Sequence, residues 1–220
     1  MNEIQDIRRK VIKFGLELLN RGLVAGTWGN ISARIGREGL IAITPSGRDY
    51  RTLADTDIVI VDSNGQVIDG HLKPSSELPL HLAVYHARPD VNAIVHTHSV
   101  YASACAVAQK EIPPIIEDLI QVIGGAVSVA DYALPGTEEL GINTIRSLGR
   151  KNGVLLANHG VVGCGRSLDE ALTACELIEK AARIFIYSMS IGGPKILSDH
   201  DVAVMHKFYV EHYRRQEEQE

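Results

Sequence analysis

Apolar residues recur at helical spacing at the start of the chain. Between residues 4 and 20 they fall three and four positions apart, which predicts an amphipathic helix, and Gly22 is placed to end it. Further helices are predicted over Leu78–Ala87, Tyr101–Gln109, Glu138–Arg150, Leu168–Ser190 and Val202–Arg215.

Short apolar runs between these helices predict strands. The runs are Ile31–Arg34, Leu40–Thr44, Ile58–Val61, Gln66–Ile68, Val91–Val95, Val154–Ala157 and Val161–Cys164. The sequence Asp62-Ser63-Asn64-Gly65 predicts a hairpin turn. The stretch from Ile112 to Pro135 is apolar and broken by Gly124-Gly125, and neither pattern assigns it. Hairpins mixed with helices predict α/β layers around one mixed or antiparallel sheet, in a single domain over residues 1–220.

The composition narrows the class of protein. The chain has 220 residues, of which 45% are hydrophobic, enough for a full core. Its 22 Lys and Arg against 27 Asp and Glu give a net charge of −5, whereas nucleic-acid binding usually shows as a clustered basic surface. No run approaches the length of a membrane span, and the charged first residues do not resemble a signal peptide. We expect a cytoplasmic protein with no nucleic-acid or membrane partner.

The three cysteines support the same expectation. Cys105, Cys164 and Cys175 lie in apolar surroundings without close pairing, so we expect reduced residues of the core.

Histidines follow two of the predicted strands. His96 and His98 come after one strand, and residues two apart on a strand point to the same side of the sheet. His159 comes after another, and Glu77 lies where a helix begins and could add an oxygen ligand or a base. Three imidazoles beside a carboxylate or an open position are a common catalytic zinc pattern. The alternative for each histidine is an ordinary polar residue in a loop.

Three short polar segments offer groups that could hold an anion. Residues 26–30 and 44–47 offer turn amides and polar side chains, and residues 73–77 offer two hydroxyls at a predicted helix N-terminus. Ser and Asn also cap helices and build turns, which is the simpler explanation of each segment alone. The glycine-rich segment is neither a P-loop nor a dinucleotide fingerprint.

In combination these motifs resemble the zinc-dependent class II aldolase/adducin-like family. The matching motifs, found in the family's order along nearly the whole chain, are Gly29-Asn30-Ile31-Ser32, Thr44-Pro45-Ser46-Gly47, Pro74-Ser75-Ser76-Glu77, His96-Thr97-His98 and His159-Gly160. The most similar branch is the one that cleaves L-fuculose 1-phosphate. The resemblance implies a three-layer α/β/α sandwich around a largely antiparallel central sheet, and a homotetramer with active sites at subunit interfaces.

The resemblance also implies roles for residues. One divalent metal per subunit, Zn²⁺ first and Mn²⁺, Co²⁺ or Fe²⁺ as alternatives, is held by His96, His98, His159 and Glu77, and Glu77 also moves protons. The positions that match phosphate-binding ones are Asn30, Ser46, Gly47, Ser75 and Ser76. The implied reaction cleaves a small phosphorylated ketose, such as fuculose 1-phosphate, to dihydroxyacetone phosphate and a small aldehyde.

The middle of the chain departs from this branch. Its members carry there a proton-donating tyrosine that reaches the neighbouring subunit, whereas alignment on Gly124-Gly125 places Asp118, beside Glu117, at that position. Either acid takes the proton role, or both are solvated loop residues. Tyr209 and Tyr213 either cover the aldehyde side of a site or pack the last helix.

Other branches of the family stay open as alternatives. They include sugar-phosphate dehydratases, decarboxylases and 4-epimerases, although the epimerases usually have Asp where this chain has Glu77. The adducin branch is a non-catalytic interaction module, which has no need of a metal-binding histidine trio.

Overall fold

One eight-stranded sheet forms the middle of the molecule. The computed structural model describes residues 3–36 and 39–213. The strands are β1 (Asn30–Ile35), β2 (Leu40–Ile43), β3 (Val59–Val61), β4 (Val67–Asp69), β5 (Ala93–Thr97), β6 (Val129–Ala130), β7 (Gly153–Leu156) and β8 (Gly160–Gly165). They lie in the order β4-β3-β2-β1-β5-β8-β7-β6, and all neighbours are antiparallel except β6 and β7.

Seven α-helices are found in the described part of the chain. They are α1 (Glu3–Asn20), α2 (Leu78–Ala87), α3 (Val100–Val107), α4 (Glu117–Ile123), α5 (Glu138–Leu148), α6 (Leu168–Met189) and α7 (Asp199–Phe208), which continues into a π-helical turn at Tyr209–Tyr213. Side-chain caps fix several starts: Thr137, Ser167 and Ser198 each accept a hydrogen bond from a backbone amide of the helix that follows.

Helices cover both faces of the sheet. Alternate residues of β1, such as Ile31 and Ala33, join a core with α1 and α6 on one face. On the other face, residues such as Ile43 and Ile94 pack with α2 and α5. Helices α3 and α4 pack with α6 in a third cluster. The sequence prediction of a three-layer α/β/α sandwich around a largely antiparallel sheet is confirmed, since each face has its own apolar cluster to bury.

Strand β5 lies two residues beyond its prediction. It was expected at 91–95 and spans 93–97, because His96 and Thr97 keep their hydrogen-bonded pairing with β8. His96 is also the register partner of Asn30 on β1. The expected hairpin at 62–65 is present, and its second strand begins at Val67 because the Asp62 carboxylate holds the amide of Gln66 in the turn.

The unassigned middle segment contains helix α4 and the short strand β6. Gly124, at φ +88°, ends α4, which explains why the glycine pair marks a boundary there. The last helix starts at Asp199 instead of Val202, because Ser198 caps it, and its expected end at Arg215 lies outside the described residues.

The three cysteines are buried and unpaired, as predicted. Among the described residues, none of the helices combines the length and the apolar character that crossing a bilayer requires.

Candidate metal centre and polar pocket

The ends of two strands and the start of one helix bring four ligating side chains together. His96 lies on β5 and His98 one residue beyond its end, while His159 lies in the short loop between β7 and β8. Glu77 directly precedes α2 and is buried. One ligating atom from each of the four lies within 4.8 Å of all the others. The prediction that His96 and His98 share one side of the sheet end is therefore confirmed.

The distances between these atoms suit a small divalent cation. His96 Nε2 lies 2.9 Å from His98 Nε2 and 3.2 Å from Glu77 Oε2. His159 Nε2 lies 3.4 Å from Glu77 Oε1. Ligand atoms about 2.1 Å from a tetrahedral zinc ion lie about 3.4 Å from one another. Three of the separations are therefore at or below this value, and the other pairs of ligating atoms lie within 4.8 Å, so a small adjustment of the side chains would place them around one ion.

Hydrogen bonding inside the protein does not explain this cluster by itself. Glu77 Oε1 and His159 Nδ1 are buried without a hydrogen-bond partner among the described residues. Such orphaned atoms are uncommon in a native interior and call for an explanation. Two imidazole nitrogens at hydrogen-bond distance, facing a carboxylate, are the donor set that a divalent metal prefers. The residues present therefore fit a metal.

Charge and burial set the ionisation of these groups. Burial opposes ionisation of Glu77, but the imidazoles of His96 and His159 and the Asn30 amide outweigh it, so the pKa of Glu77 lies well below its usual range. Burial, with His96 adding to it, lowers the pKa of His98 and of His159 to about 4. Burial also disfavours protonation of His96, but the Glu77 carboxylate outweighs it and raises the pKa of His96. At neutral pH His98 and His159 are therefore neutral, the form that ligates metal.

The loop that carries His159 depends on the backbone conformation of Asn158 and on the small size of Gly160. Asn158 has φ +56°, which lets the chain reverse within three residues between β7 and β8. Gly160 follows, and a Cβ there would meet the Thr97 carbonyl oxygen, His98 Cδ2 at 3.1 Å and His96 Cε1 at 3.3 Å. A side chain at Gly160 would thus push on the backbone and rings of β5.

The three polar segments singled out in the sequence lie side by side. Pro45 and Pro74 form an antiparallel bridge, in which Ser46 N–H donates to the Lys73 carbonyl and Ser75 N–H donates to the Thr44 carbonyl. The Thr44 hydroxyl accepts from the amide of Ile31, which ties this pair to the glycine-rich segment. Segments that are distant in sequence are therefore fixed against one another.

A pocket of about 300 Å³ opens between these segments and the metal-ligand cluster. Every residue predicted to bind phosphate lines it, together with three of the four metal-ligand candidates: Asn30, Ser46, Gly47, Ser75, Ser76, Glu77, His98 and His159. The fourth candidate, His96, is fully buried behind them. The wall of the pocket thus contains both the hydroxyls and amides of the polar segments and three candidate metal ligands.

An exposed tryptophan lies at the mouth of this pocket. The ring of Trp28 stacks on His98, with centroids 5.9 Å apart, yet 66% of the residue remains exposed. Pro135 lines the pocket as well. Gly29 lies close to the backbone of β5: it has φ +89°, and a Cβ there would lie 2.7 Å from the His96 carbonyl oxygen. Trp28 was not among the residues predicted for the site.

Asn30, one of the residues predicted to bind phosphate, makes its side-chain hydrogen bonds within the protein. Its Nδ2 donates to Glu77 Oε2 at 2.8 Å, and its Oδ1 lies 2.5 Å from Nε2 of the buried His81. Its side chain therefore supports the carboxylate, and any phosphate contact would use its second amide hydrogen. His81 was not among the residues predicted for the site. Its position one helical turn after Glu77 was the signal that could have connected it to the site.

The remaining predicted residues lie away from this pocket within the chain. Glu117 and Asp118 form the first turn of α4, where Glu117 is exposed and Asp118 pairs with Lys180 of α6. Tyr209 packs against the third apolar cluster and stacks with Tyr213. None of these four side chains lines the pocket of its own chain.

The fold and the site define an α/β protein with a three-histidine, one-glutamate cluster at the end of its central sheet, facing a polar pocket. The chain belongs to a known family of this kind: the family described as "Class II Aldolase and Adducin N-terminal domain" matches residues 9–186. Class II aldolases use a divalent metal, and the prediction that the chain is an enzyme of the aldolase type, a lyase, is confirmed.

Similar proteins carry aldolase names. The chain is 39% identical to the 5-deoxy-D-ribulose 1-phosphate aldolase of Bacillus thuringiensis serovar kurstaki over 90% of its length and 93% of that protein. It is 36% identical to the L-fuculose phosphate aldolase of Escherichia coli K12, over 92% of the chain and 94% of that protein. A solved L-fuculose 1-phosphate aldolase superposes with a TM-score of 0.90 at 37% identity, covering 93% of this chain and 96% of that one.

Proposed function

We propose that this protein is a metal-dependent aldolase for ketose 1-phosphates whose terminal carbon is a methyl group. The observation that carries the proposal is the cluster of Glu77, His96, His98 and His159 at one part of a pocket whose other part is lined by serine hydroxyls. Both named relatives act, by their names, on substrates of this class. Fuculose and 5-deoxyribulose are terminal deoxy ketoses, and cleavage between C3 and C4 gives dihydroxyacetone phosphate from either.

The phosphate would bind where the polar segments converge. Ser46 and Ser76 are exposed to the pocket, and Gly47 adds a backbone turn beside them. Ser75 accepts a hydrogen bond from the amide of Glu77, which places its own hydroxyl hydrogen for donation elsewhere. The adjacent start of α2 favours negative charge. Binding the non-reacting end here would fix C3 and C4 against the histidine cluster.

The histidines and Glu77 would hold one divalent ion, for which Zn²⁺ is the first candidate and Mn²⁺, Co²⁺ and Fe²⁺ are alternatives. When bound, such an ion polarises a carbonyl group and stabilises the negative charge that develops during carbon–carbon cleavage. Glu77 is ionised, but the neighbours that lower its pKa also make it a weak base while it faces the histidines, so it would accept a proton only after substrate displaces it from the metal. In the cleavage direction the C4 hydroxyl loses a proton as the C3–C4 bond breaks, and C3 then gains one.

The other proton-transfer group would come from a second subunit. Glu117 and Asp118 lie outside the pocket of their own chain, so either can act only on a neighbouring active site. This arrangement requires chains to associate, and the proposed assembly is the homotetramer with shared active sites that the resemblance implied. Exposed apolar residues from the last part of α6 to α7 suit such an assembly: Ile184, Tyr187, Met189, Ile191, Ile196, Val204 and Phe208.

Trp28 and Pro135 support the preference for a methyl-terminated substrate. They place apolar surface at the mouth of the pocket, next to the candidate metal ligand His98. A terminal methyl group loses no hydrogen bonds when it packs against such a surface, whereas a hydroxyl group does. We therefore expect 5-deoxyribulose 1-phosphate and fuculose 1-phosphate to be better substrates than ribulose 1-phosphate.

A substrate panel tests this function. The enzyme is loaded with Zn²⁺ or Co²⁺ and incubated with each of the three ketose phosphates, the release of dihydroxyacetone phosphate is assayed, and products are identified by mass. The variant E77Q serves as the inactive control. Absence of triose phosphate from all three substrates, with metal bound, would contradict the proposal. Loss of water would identify a dehydratase, and an isomer of unchanged mass, separated by chromatography, an epimerase; a carboxylated sugar phosphate added to the panel tests for a decarboxylase through release of CO₂.

A further inference from the structure

A chain of buried polar side chains leads from Glu77 into the layer between α2 and the sheet. It passes from Glu77 to Asn30, then to His81, Ser32 and Tyr85. The consecutive distances are 2.8 Å, 2.5 Å, 2.6 Å and 2.8 Å. Every member is buried, and His81 and Ser32 have no exposed surface. Its inner members, His81, Ser32 and Tyr85, have no role in the function proposed above.

The five side chains come alternately from helix α2, with the residue before it, and from strand β1. Glu77, His81 and Tyr85 are spaced by four residues, so they follow one side of α2. Asn30 and Ser32 are two apart on β1 and point to the same face of the sheet. This side of α2 packs against this face of β1, so side chains of the two elements hydrogen-bond in turn.

The ionised carboxylate sets the direction of every hydrogen bond in the chain. Glu77 can only accept, so Asn30 must turn its Nδ2 towards Glu77 and its Oδ1 towards His81. His81 must then carry its hydrogen on Nε2, which leaves Nδ1 as an acceptor for the Ser32 hydroxyl. Ser32 in turn accepts from the Tyr85 hydroxyl. One arrangement of hydrogens is therefore consistent with all four hydrogen bonds.

Burial keeps His81 and Tyr85 in the forms that this arrangement needs. Burial, with His96 adding to it, lowers the pKa of His81 to about 3, so the imidazole is neutral. Burial also raises the pKa of Tyr85, so its hydroxyl keeps its hydrogen.

We propose that His81 is a positioning residue for the metal centre. Its Nε2–H fixes the Asn30 amide, and Asn30 in turn holds the Glu77 carboxylate facing His96 and His159. The proposal rests on the metal site of the proposed function and deepens it. It does not depend on which sugar phosphate is cleaved. Outer groups that orient ligands typically change metal affinity 10- to 100-fold when they are removed.

The test compares the affinity of the purified, metal-free full-length protein for Co²⁺ in three variants. H81L removes the donor, H81Q offers a side-chain amide N–H in its place, and H86L makes the leucine change at an exposed histidine of the same helix. We expect H81L to bind Co²⁺ about 10- to 100-fold more weakly, with a changed absorption spectrum of the bound ion. H81Q and H86L should bind Co²⁺ with an affinity within about threefold of that of the wild type.

A purely structural role for His81 predicts a different result. H81L would then melt at a lower temperature, but its folded fraction would bind Co²⁺ with wild-type affinity and spectrum, and this would overturn the proposal. If H81L does not fold, S32A breaks the chain one step further on and keeps the histidine. S32A should weaken Co²⁺ binding about 3- to 10-fold, and unchanged affinity in S32A would also overturn the proposal.

The measurement separates this proposal from the proposed reaction. A wild-type protein that binds Co²⁺ tightly but releases no triose phosphate contradicts the aldolase function and leaves the H81L comparison valid. A wild-type protein that binds no Co²⁺ overturns the metal centre and the role of His81 together.

Discussion

At the scale of single residues, polar and apolar side chains line the same small pocket. Ser75 and Ser76 line one part of it, while Trp28 stacks on His98 at the mouth. An aromatic ring that is 66% exposed gains contact area when a ligand covers it. The side chain at position 28 is thus placed to influence which sugar phosphates bind well.

Replacing Trp28 by alanine should change substrate choice. We expect W28A to raise the KM for 5-deoxyribulose 1-phosphate about 3- to 10-fold, the value of one lost aromatic contact. The KM for ribulose 1-phosphate should change less, so the preference for the methyl-terminated substrate narrows. Steady-state kinetics on both substrates give the answer. I142A, at a residue that is 61% exposed on α5 and outside the pocket, is the control. Equal effects on the two substrates would contradict a role in specificity.

His81 should also make stability depend on pH. Its pKa is about 3 in the folded protein and about 6.5 in the unfolded chain, so the unfolded state binds more protons between these values. Its contribution to stability is therefore complete above pH 6.5 and is lost as the pH falls towards 3. At pH 5 the loss is about 2 kcal/mol.

Urea unfolding of the chelator-treated protein at pH 7 and pH 5 measures this effect. The wild type should lose about 2 kcal/mol more than H81Q between the two pH values, because glutamine does not titrate. An identical loss in both proteins would show that His81 is not the group responsible.

At the scale of elements, the site depends on how closely β8 approaches β5. The loop between β7 and β8 delivers His159, and Gly160 begins β8 directly beside the rings of His96 and His98. A metal centre built from several elements stays accurate only if these elements keep their separation.

G160A should therefore disturb the metal centre more than the fold. The added Cβ would press on the Thr97 carbonyl and on both rings, which we expect to cost about 1–3 kcal/mol of stability and to weaken Co²⁺ binding at least about tenfold. G149A is the matched control, since Gly149 has φ +54° but open space around it. It should lose about 1 kcal/mol from backbone strain and keep its metal affinity. Urea unfolding and Co²⁺ titration follow both properties. Wild-type affinity in G160A would mean that the loop adjusts without moving the ligands.

At the scale of the whole molecule, the acids of α4 would connect the proposed function with assembly. Glu77 lines the pocket of its own chain, whereas Glu117 and Asp118 do not. If one of them serves a neighbouring subunit, active sites form only when chains associate.

Mixing inactive variants tests this sharing of sites. We expect light scattering to give the mass of four copies of the 24.0 kDa chain. E77Q should be inactive alone, and so should a second variant, E117Q with D118N. After subunit exchange a mixture of the two should regain activity, because some sites then combine intact groups from both chains. No recovery from a mixture shown by mass spectrometry to contain hybrids would contradict shared sites.

The sequence by itself determined the layers of this protein and all four of its metal-ligand candidates. Helical and alternating periodicities show which side of each element is buried, so the longer helices, the hairpin and the α/β layers followed from local pattern, whereas the three-layer sandwich was implied by the family resemblance. The spacing of His96 and His98 fixed their common direction for the same reason. The middle segment was not assigned, because α4 and β6 are too short to show a period.

Only the tertiary structure decided what surrounds these ligands. The link from Asn30 to His81, the stacking of Trp28 on His98 and the distance of Glu117 from the pocket all depend on contacts between elements far apart in sequence. Side-chain periodicity carries no information about which helix side meets which strand face. Pairing and packing, which set these contacts, are properties of the whole folded chain.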